Sequence, residues 1–396
     1  MFKTLDEIEC RGRCVLVRGD LNVPMQDGLV TDSTRLDRFA PTVRELSDKG
    51  ARVAVISHLG RPKGEAKPEL SLRQIADALS TALGGRAVVF ADDCIGDAAK
   101  NAIDNLPDGG IVLLENLRFH AGEEANDPTF VAALAENADL FVNNGFSVSH
   151  RAHASTAGIA GALPAYAGRG MQAELEALAA ALEVPKKPVA ALVGGAKVST
   201  KLSVLGHLLD KVDSLIIGGG MANTFLFALG TNIGASLCEK ELADTARGIM
   251  ARADETGCQI VLPSDVVIAA GLEEGIATEV VPIAAVPPDR MILDVGPESS
   301  AALNQHLANC GTLLWNGPLG AFEVTPFDAG TNAVARRAAE LTAAGSLVSV
   351  AGGGDTVAAL RRADAIDGFS YVSTAGGAFL EWLEGRELPG VAALNN

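Results

Sequence analysis

Short apolar runs alternate with amphipathic or alanine-rich stretches along the chain. In the first half, the apolar runs predict strands at residues 13–18, 52–57, 87–90, 111–115 and 140–143. Helical patterns lie between them: one opens at residues 31–35 and runs toward Leu46, one begins after Ser71, and one covers residues 128–136. Strands that alternate with helices predict βαβ units and a mostly parallel sheet.

The second half repeats this architecture with a different sequence. Its predicted strands are residues 189–193, 214–217, 259–262, 312–315, 347–351 and 371–373. A helix-forming run at residues 172–182 connects the halves, and Pro185 and Pro188 follow it. Residues 168–173 fit a GxGxxA pattern, but Pro164 and Tyr166 stand where a strand would have to precede it. We therefore do not expect a dinucleotide-binding fingerprint there.

Composition narrows the class of protein. A length of 396 residues favours two domains, and 48% hydrophobic residues with 43 glycines fit a globular α/β enzyme. The net charge of −17 argues against nucleic acid or an anionic membrane as a partner, although a cleft can still bind a small anion. Six scattered cysteines without a CxxC pair, no signal-like start and no long apolar stretch predict a cytoplasmic protein.

Polar side chains gather where the first-half strands end, which is where open α/β sheets bind ligands. The set is mostly cationic although the protein is acidic, and arginine forks bind phosphate and carboxylate groups in a bidentate manner. Any single arginine is more often part of a solvated surface ion pair. Cationic residues recur here at successive strand ends, which favours an anion-binding site. The residues are Asp20, Asn22, His58, Arg61, Arg118, His150, Arg151 and His153, with Arg35 at a helix start.

The second-half strand ends carry glycine clusters, Lys197, Lys201 and Asp355. Residues 347–360 read as a buried strand, three glycines and a helix start, which together make an anion site. The Asp355 carboxylate would repel a bare phosphate. It suits a divalent cation that binds between the carboxylate and the phosphate. For this stretch alone, a tight turn with Asp355 as a helix N-cap is equally compatible. Glu323 is a candidate for ribose hydroxyls or an ordinary surface carboxylate.

A compact anion in one half and a nucleotide in the other suggest phosphoryl transfer across a cleft. This chemistry needs positioning and charge neutralisation more than a nucleophilic side chain. The chain lacks GxxxxGK[ST] and the HRD and DFG sets of protein kinases. It is therefore neither a P-loop protein nor a protein kinase.

A set of motifs, in order along nearly the full length, resembles the phosphoglycerate kinase family. The blocks are residues 15–24 (VLVRGDLNVP), 57–62 (SHLGRP), 115–119 (ENLRF), 150–153 (HRAH), 194–201 (GGAKVSTK), 218–225 (GGGMANTF), 315–318 (WNGP), 322–323 (FE), 352–356 (GGGDT) and 388–391 (LPGV). The resemblance implies two doubly wound, Rossmann-like parallel-sheet domains joined by a hinge helix. The first would be residues 1–169 together with a tail, 375–396, and the second residues 170–374.

The resemblance also implies an activity and its residues. The reaction would be reversible phosphoryl transfer between 1,3-bisphosphoglycerate with Mg-ADP and 3-phosphoglycerate with Mg-ATP, by a monomer whose domains close at the hinge. The substrate residues would be Asp20, Leu21, Asn22, Arg35, His58, Leu59, Gly60, Arg61, Arg118 and Arg151. The nucleotide residues would be Lys197, Lys201, Gly219, Gly220, Asn316, Glu323, Gly353, Gly354, Asp355 and Thr356, with Asp355 on Mg²⁺. Arg35, Lys197, Gly353 and Gly376 would stabilise the transferring phosphoryl group.

Some positions depart from the usual family pattern. Residues 143–147 read Asn-Asn-Gly-Phe-Ser where the family usually has Asn-Asp-Ala-Phe-Gly, Gly19 replaces a usual Val, Ala375 replaces a usual Gly, and Thr200 is often Asp in the family. The missing carboxylate at Asn144 could alter how His150 and Arg151 are oriented. None of these departures removes a charged substrate or metal contact, so we expect activity to survive.

Two other classes stay open on the residues alone. A non-catalytic nucleotide-binding protein could keep this fold, and Asn144 and Ala375 are the hints in its favour. A dinucleotide dehydrogenase of the same fold class would need a strand-linked GxGxxG and a downstream ribose-binding acid, which the sequence lacks.

Overall fold

The structure, a computed structural model, describes residues 2–395. The chain divides into two compact units: Met1–Leu175 with Glu387–Asn396, and Glu176–Arg386. Each unit is built on its own six-stranded parallel sheet, as the sequence predicts. The functional division expected from the resemblance, at 169/170 and 374/375, stays a prediction.

The first unit contains a parallel sheet and a small antiparallel hairpin. The sheet order is β5-β6-β4-β1-β7-β8, and β2 pairs with β3. The strands are β1 Cys14–Arg18, β2 Met25–Gln26, β3 Leu29–Val30, β4 Arg52–Ile56, β5 Val88–Ala91, β6 Ile111–Leu114, β7 Leu140–Asn143 and β8 Ala165–Ala167. Because β1 lies in the middle and is buried along its whole length, its carboxyl end opens into the centre of the sheet edge.

Helices cover this sheet and bury one face each. In helix α1, residues Leu36, Phe39, Val43 and Leu46 recur at helical spacing and are at most 1% exposed. They pack in one core with strand residues such as Val15. The helices are α1 Thr34–Asp48, α2 Ala76–Ala82, α3 Gly96–Asp104, α4 Ala121–Glu124, α5 Pro128–Ala135, α6 Ile159–Ala162 and the first part of α7 Arg169–Leu182, which continues into the second unit. The short helix Pro389–Ala392 belongs to the same unit.

The second unit has a parallel sheet of order β11-β10-β9-β15-β16-β17 and an antiparallel sheet of order β13-β12-β14. Its strands are β9 Val189–Val193, β10 Ser214–Ile217, β11 Gln259–Val261, β12 Asp265–Ala269, β13 Glu279–Pro282, β14 Met291–Val295, β15 Thr312–Asn316, β16 Val348–Gly352 and β17 Tyr371–Ser373. Its helices are α8 Leu202–Leu208, α9 Gly219–Ala228, α10 Ala243–Thr256, α11 Pro297–Ala308, α12 Ala329–Ala343, α13 Gly354–Arg362 and α14 Gly376–Leu383.

We expected no strand before the GxGxxA match at residues 168–173, and this prediction is wrong. Strand β8 pairs in parallel with β7 and ends one residue before Gly168, and α7 begins at Arg169. The glycines make room for a side chain here, because a Cβ on Gly168 would lie 2.4 Å from Asn144 Oδ1 and one on Gly170 would lie 2.8 Å from Asn144 Nδ2. The local strand–glycine–helix geometry therefore holds Asn144.

No helix within residues 2–395 is both long and apolar enough to cross a lipid bilayer.

Candidate functional site

Contacts of the loop after β1 connect four of the predicted substrate residues. Arg35, in the first turn of α1, has its Nη1 3.0 Å from Asp20 Oδ2. The same Nη1 donates to the Asn22 backbone carbonyl at 2.7 Å. Asn22 Oδ1 in turn accepts from the Gly60 backbone N–H at 2.9 Å. This network links the loops that follow β1 and β4, so Asp20, Asn22, Arg35 and Gly60 form one cluster.

Arg118 extends that cluster from the loop after β6. Its Nη1 donates to the Gly60 carbonyl at 2.9 Å, and its Nε lies 3.3 Å from Glu124 Oε1. Its side chain is 5% exposed, and burial lowers its pKa, with the positive charges of Arg151 and Arg61 acting in the same direction. Three predicted arginines thus share one electrostatic environment, an arrangement that attracts a multiply charged anion. We call Asp20, Asn22, Arg35, His58, Gly60, Arg61, Arg118 and Arg151 the arginine pocket.

Two histidines of this region, His58 and His153, add no positive charge at neutral pH. Burial, followed by the neighbouring arginines, lowers the pKa of His58 well below its usual value and that of His153 to about 4. Arg18 Nη2 lies 3.0 Å from His58 Nδ1. Because a guanidinium can only donate, Nδ1 accepts and the ring proton of His58 sits on Nε2. His58 therefore offers a neutral N–H donor.

Sequence reasoning missed the buried support of the arginine pocket. Arg18 is fully buried, and its Nε donates to Ser155 Oγ at 2.9 Å. Ser155 Oγ donates to Glu123 Oε1 at 2.6 Å. A charged residue as the last member of an otherwise apolar central strand was the signal that could have found Arg18.

The Asn144 side chain contacts the start of α7, and the expected effect on His150 and Arg151 stays a prediction. Its Oδ1 accepts from the Gly170 backbone N–H at 2.8 Å and from Thr42 Oγ1 at 2.8 Å, so the side chain faces the first turn of α7. Arg151 Nε contacts His150 Nε2 at 3.2 Å. Two of the other departures also have local explanations: a Cβ on Gly19 would lie 2.7 Å from the Phe39 ring, and Ala375 adopts φ −94°, which needs no glycine.

In the second unit, four neighbouring strands end around one cavity of about 330 Å³. The loops after β9, β10, β15 and β16 face it because these strands are adjacent in the sheet. Its lining includes the predicted residues Gly219, Gly220, Glu323 and Asp355 together with Gly195, Leu237, Pro318 and Phe322. We call it the glycine-lined cavity. Glycine at 219 is required, because its φ is +64° and a Cβ would lie 2.7 Å from the Gly195 carbonyl oxygen.

Buried polar side chains hold the glycine turn beside this cavity. Asn316 Nδ2 donates to the Gly352 carbonyl at 2.8 Å, and the Gly317 N–H donates to Thr356 Oγ1 at 2.7 Å. Gly353 has φ +98°, and a Cβ there would lie 2.7 Å from Asn316 Nδ2. Helix α13 begins at Gly354, so its first N–H groups point out of this turn.

Lys201 is partly buried on the same turn. Its Nζ donates to the Asn316 carbonyl at 2.9 Å and contacts the Asn316 side-chain oxygen. Burial lowers the Lys201 pKa to about 8, and the carboxylate of Asp355 acts in the opposite direction. The charges of Lys201 and Asp355 therefore influence each other. Lys197, Gly354 and Gly376 are exposed at the starts of their helical turns, and their roles stay predictions.

Asp294 is a second residue that the sequence did not reveal. It lines the glycine-lined cavity, is 2% exposed, and its Oδ2 accepts from the Gly330 N–H at 2.7 Å. Burial raises its pKa to about 7. A Cβ on Gly320 would lie 2.2 Å from Asp294 Oδ1. The Asp294 carboxyl therefore leaves room only for glycine at position 320 of the cavity wall.

The comparisons with known proteins point to one family. The family model described as phosphoglycerate kinase matches residues 5–386. Phosphoglycerate kinases of Sinorhizobium medicae (strain WSM419) and Cereibacter sphaeroides (strain ATCC 17025 / ATH 2.4.3) are 61% and 58% identical to this chain over 394 residues. These alignments cover 99% and 100% of this chain and 98% and 99% of the relatives.

Solved structures agree with this relationship. A phosphoglycerate kinase from Coxiella burnetii superposes with a TM-score of 0.92 at 43% identity, covering 100% of this chain and 99% of that one. One from Pyrococcus horikoshii OT3 gives a TM-score of 0.81 at 30% identity, covering 100% and 98%. With a family match over nearly its whole length, the chain belongs to the phosphoglycerate kinase family of phosphotransferases.

Proposed function

We propose that the arginine pocket binds 3-phosphoglycerate and 1,3-bisphosphoglycerate, and that the glycine-lined cavity binds ADP and ATP. The reaction is the reversible phosphoryl transfer of the family. The observation that carries the substrate assignment is the shared environment of Arg61, Arg118 and Arg151, because arginine forks match both the carboxylate and the phosphate of the substrate.

Within the arginine pocket, the roles follow from the geometry. Arg61, Arg118 and Arg151 neutralise the anion, and His58 donates from Nε2 without adding charge. Asp20 and Asn22 hold Arg35 and the Gly60 loop in place and accept hydrogen bonds from substrate hydroxyls. The buried Leu21 and Leu59 flank these residues and keep their backbone groups fixed.

In the second unit, Gly219 and Gly220 leave a flat wall for adenine, and Glu323 accepts from the ribose hydroxyls. Lys197 and Lys201 meet the phosphates. Asn316 and Thr356 hold the turn at Gly353 and Gly354, whose helix start directs N–H groups toward the same anion.

Mg²⁺ fits this cavity as a partner of the nucleotide. Asp355 is an exposed carboxylate at the start of α13, and Mg²⁺ in nucleotide enzymes takes one or two carboxylates, with phosphates and water as the remaining ligands. Asp355 would hold the ion, which would neutralise phosphate charge when bound.

Arg35, Lys197 and the backbone amides at Gly353 and Gly376 stabilise the transferring phosphoryl group. This requires the two units, joined by α7, to close during turnover and exclude water as a competing acceptor. We further propose that the protein works as a monomer in the cytoplasm, where its six free cysteines stay reduced.

A coupled assay for ADP formed from ATP and 3-phosphoglycerate, run with and without Mg²⁺, tests the proposal. We expect Mg²⁺-dependent turnover that falls at least about tenfold in Arg118→Ala, while Arg337→Ala, at an exposed site, matches the wild type. No ADP formation would leave a non-catalytic nucleotide-binding protein, and NAD binding would instead favour the dehydrogenase alternative.

A further inference from the structure

Asp93, Cys94 and His120 converge beside the first sheet, although no proposed role uses them. Asp93 and Cys94 follow β5, and His120 follows the 3-10 helix Leu117–Phe119 after β6. Because β5 and β6 are parallel neighbours, their carboxyl ends bring these loops together.

The donor atoms of the three side chains already lie close together. His120 Nε2 lies 2.7 Å from Asp93 Oδ1. One nitrogen, one sulfur and one oxygen atom of the three residues lie within 4.8 Å of one another. Within residues 2–395 this is the only group of three or more His, Cys, Asp or Glu residues with such spacing.

Their surroundings fix these side chains and leave one side open. The Cys94 residue is 3% exposed, whereas the Asp93 and His120 side chains are 42% and 31% exposed. The His120 ring stacks on Phe130 at 5.1 Å, and Asp93 Oδ1 accepts from the Cys94 backbone N–H at 2.6 Å. A bound ion would therefore reach the buried sulfur from the solvent side. Its solvent-facing side would stay accessible to water.

We propose that Asp93, Cys94 and His120 form a binding site for a thiophilic divalent cation of the Zn²⁺ class. Thiolate, imidazole and carboxylate are the donor types of zinc sites with three protein ligands and a water. Mg²⁺ prefers oxygen ligands, so this site is selective against the cation proposed for the nucleotide.

Binding requires a small rearrangement with a simple proton balance. Metal–ligand bonds of about 2.0–2.3 Å in a tetrahedron put ligand atoms about 3.3–3.8 Å apart. The 2.7 Å contact between His120 and Asp93 must therefore lengthen as the cation enters. The Cys94 sulfur must move toward the other two ligand atoms. The thiol proton passes to solvent. The proton on His120 Nε2, which faces the Asp93 carboxylate, also leaves that nitrogen, so that Nε2 binds the cation and Nδ1 carries the ring's one proton.

Calorimetric titration of the chelator-treated full chain with Zn²⁺ tests the proposal without reference to enzyme activity. We expect one saturable site per chain, weakened at least about tenfold in Cys94→Ala, His120→Ala and Asp93→Asn. The control is Cys238→Ala, which removes a partly exposed cysteine of the second unit and should leave the affinity unchanged.

Two readouts separate a lost site from a misfolded variant. Zn²⁺ should raise the Tm of the wild type and of Cys238→Ala but not of Cys94→Ala, whose circular dichroism without metal should match the wild type. Co²⁺ should produce thiolate-to-cobalt charge-transfer absorption that disappears in Cys94→Ala. The absence of saturable Zn²⁺ binding, or wild-type affinity in folded Cys94→Ala and His120→Ala, would overturn the proposal.

Discussion

Arg18 and Glu123 are both buried beneath the arginine pocket, and the hydroxyl of Ser155 joins them. Arg18 is 1% exposed and Glu123 is fully buried, so each charge depends on the other for compensation. Burial lowers the pKa of Arg18, whereas the negative charge of Glu123 acts to raise it. A buried ion pair of Arg18 and Glu123, bridged by the Ser155 hydroxyl, therefore lies beneath the arginine pocket.

Replacing Arg18 should strongly destabilise the first unit. Arg18→Met leaves Glu123 charged and uncompensated, which costs about 3–5 kcal/mol in the free energy of unfolding. Urea unfolding measures this loss. The control Arg337→Met, at an exposed ion pair with Glu340, should lose less than about 1 kcal/mol.

The double variant tests the cause of that loss. Adding Glu123→Gln to Arg18→Met removes the uncompensated charge and should restore part of the stability. Additive losses in the double variant would contradict a coupled ion pair.

Arg35 is predicted to act on the reaction more than on nucleotide binding. Arg35→Ala removes a cation that lies in the first unit, so the Kd for nucleotide should stay within about twofold while kcat falls about 10²-fold or more. Because Asp20 also loses its partner, the KM for 3-phosphoglycerate should rise. Steady-state kinetics and nucleotide titration measure these effects.

Two variants sharpen the Arg35 prediction. Arg35→Lys keeps the charge but loses the fork, so it should recover activity in part. Arg38→Ala changes an exposed arginine of the same helix and should behave as the wild type. Unchanged turnover in Arg35→Ala would remove Arg35 from the mechanism.

Lys201 should make nucleotide affinity fall as the pH rises. With a pKa of about 8 in the free protein, its ammonium group is mostly charged at pH 7 and mostly neutral at pH 9. Only the charged form attracts phosphate, so the affinity for ADP should fall about fivefold to tenfold across that interval. Isothermal titration at several pH values measures it.

An arginine at position 201 stays charged throughout this range, so Lys201→Arg should bind ADP with a nearly flat pH profile. Lys211→Arg, at an exposed position of the same unit, should keep the wild-type slope. Equal slopes in Lys201→Arg and the wild type would assign the pH dependence to another group.

The sequence predicted the fold, and it placed the candidate site residues at strand ends, because the necessary signals are local. Apolar runs mark parallel strands, and residues at their carboxyl ends share one sheet edge whatever the details of packing. Arg118 follows β6 and Asp355 follows β16, so their places in the sequence put them at such edges.

What could not be predicted depends on tertiary packing. Strand β8 has three residues and is stabilised by pairing with β7, which no local pattern reports. The buried role of Arg18 and the neutrality of His58 and His153 follow from desolvation by surrounding elements. The orientation of Asn144 toward α7 depends on glycines more than 20 residues away in the chain.

The position of Asn144 gives the last prediction. Its Oδ1 accepts from the Gly170 N–H, and Thr42 Oγ1, which donates to Asn144, accepts from the Arg169 N–H at 2.8 Å. Two side chains from outside α7 thus satisfy its first backbone donors. A carboxylate at a helix N-terminus is stabilising, so Asn144→Asp should raise the free energy of unfolding by about 0.3–1 kcal/mol.

Asn144→Ala removes the acceptor and should lower the free energy of unfolding by about 0.5–2 kcal/mol. Urea unfolding ranks the three proteins, and we expect Asp above Asn above Ala. Since the side chain faces α7 rather than Arg151, the KM for 3-phosphoglycerate should be the same in Asn144→Asp and the wild type. A change in that KM without a change in stability would show that residue 144 acts on the arginine pocket, as the sequence first suggested, and not on the start of the helix.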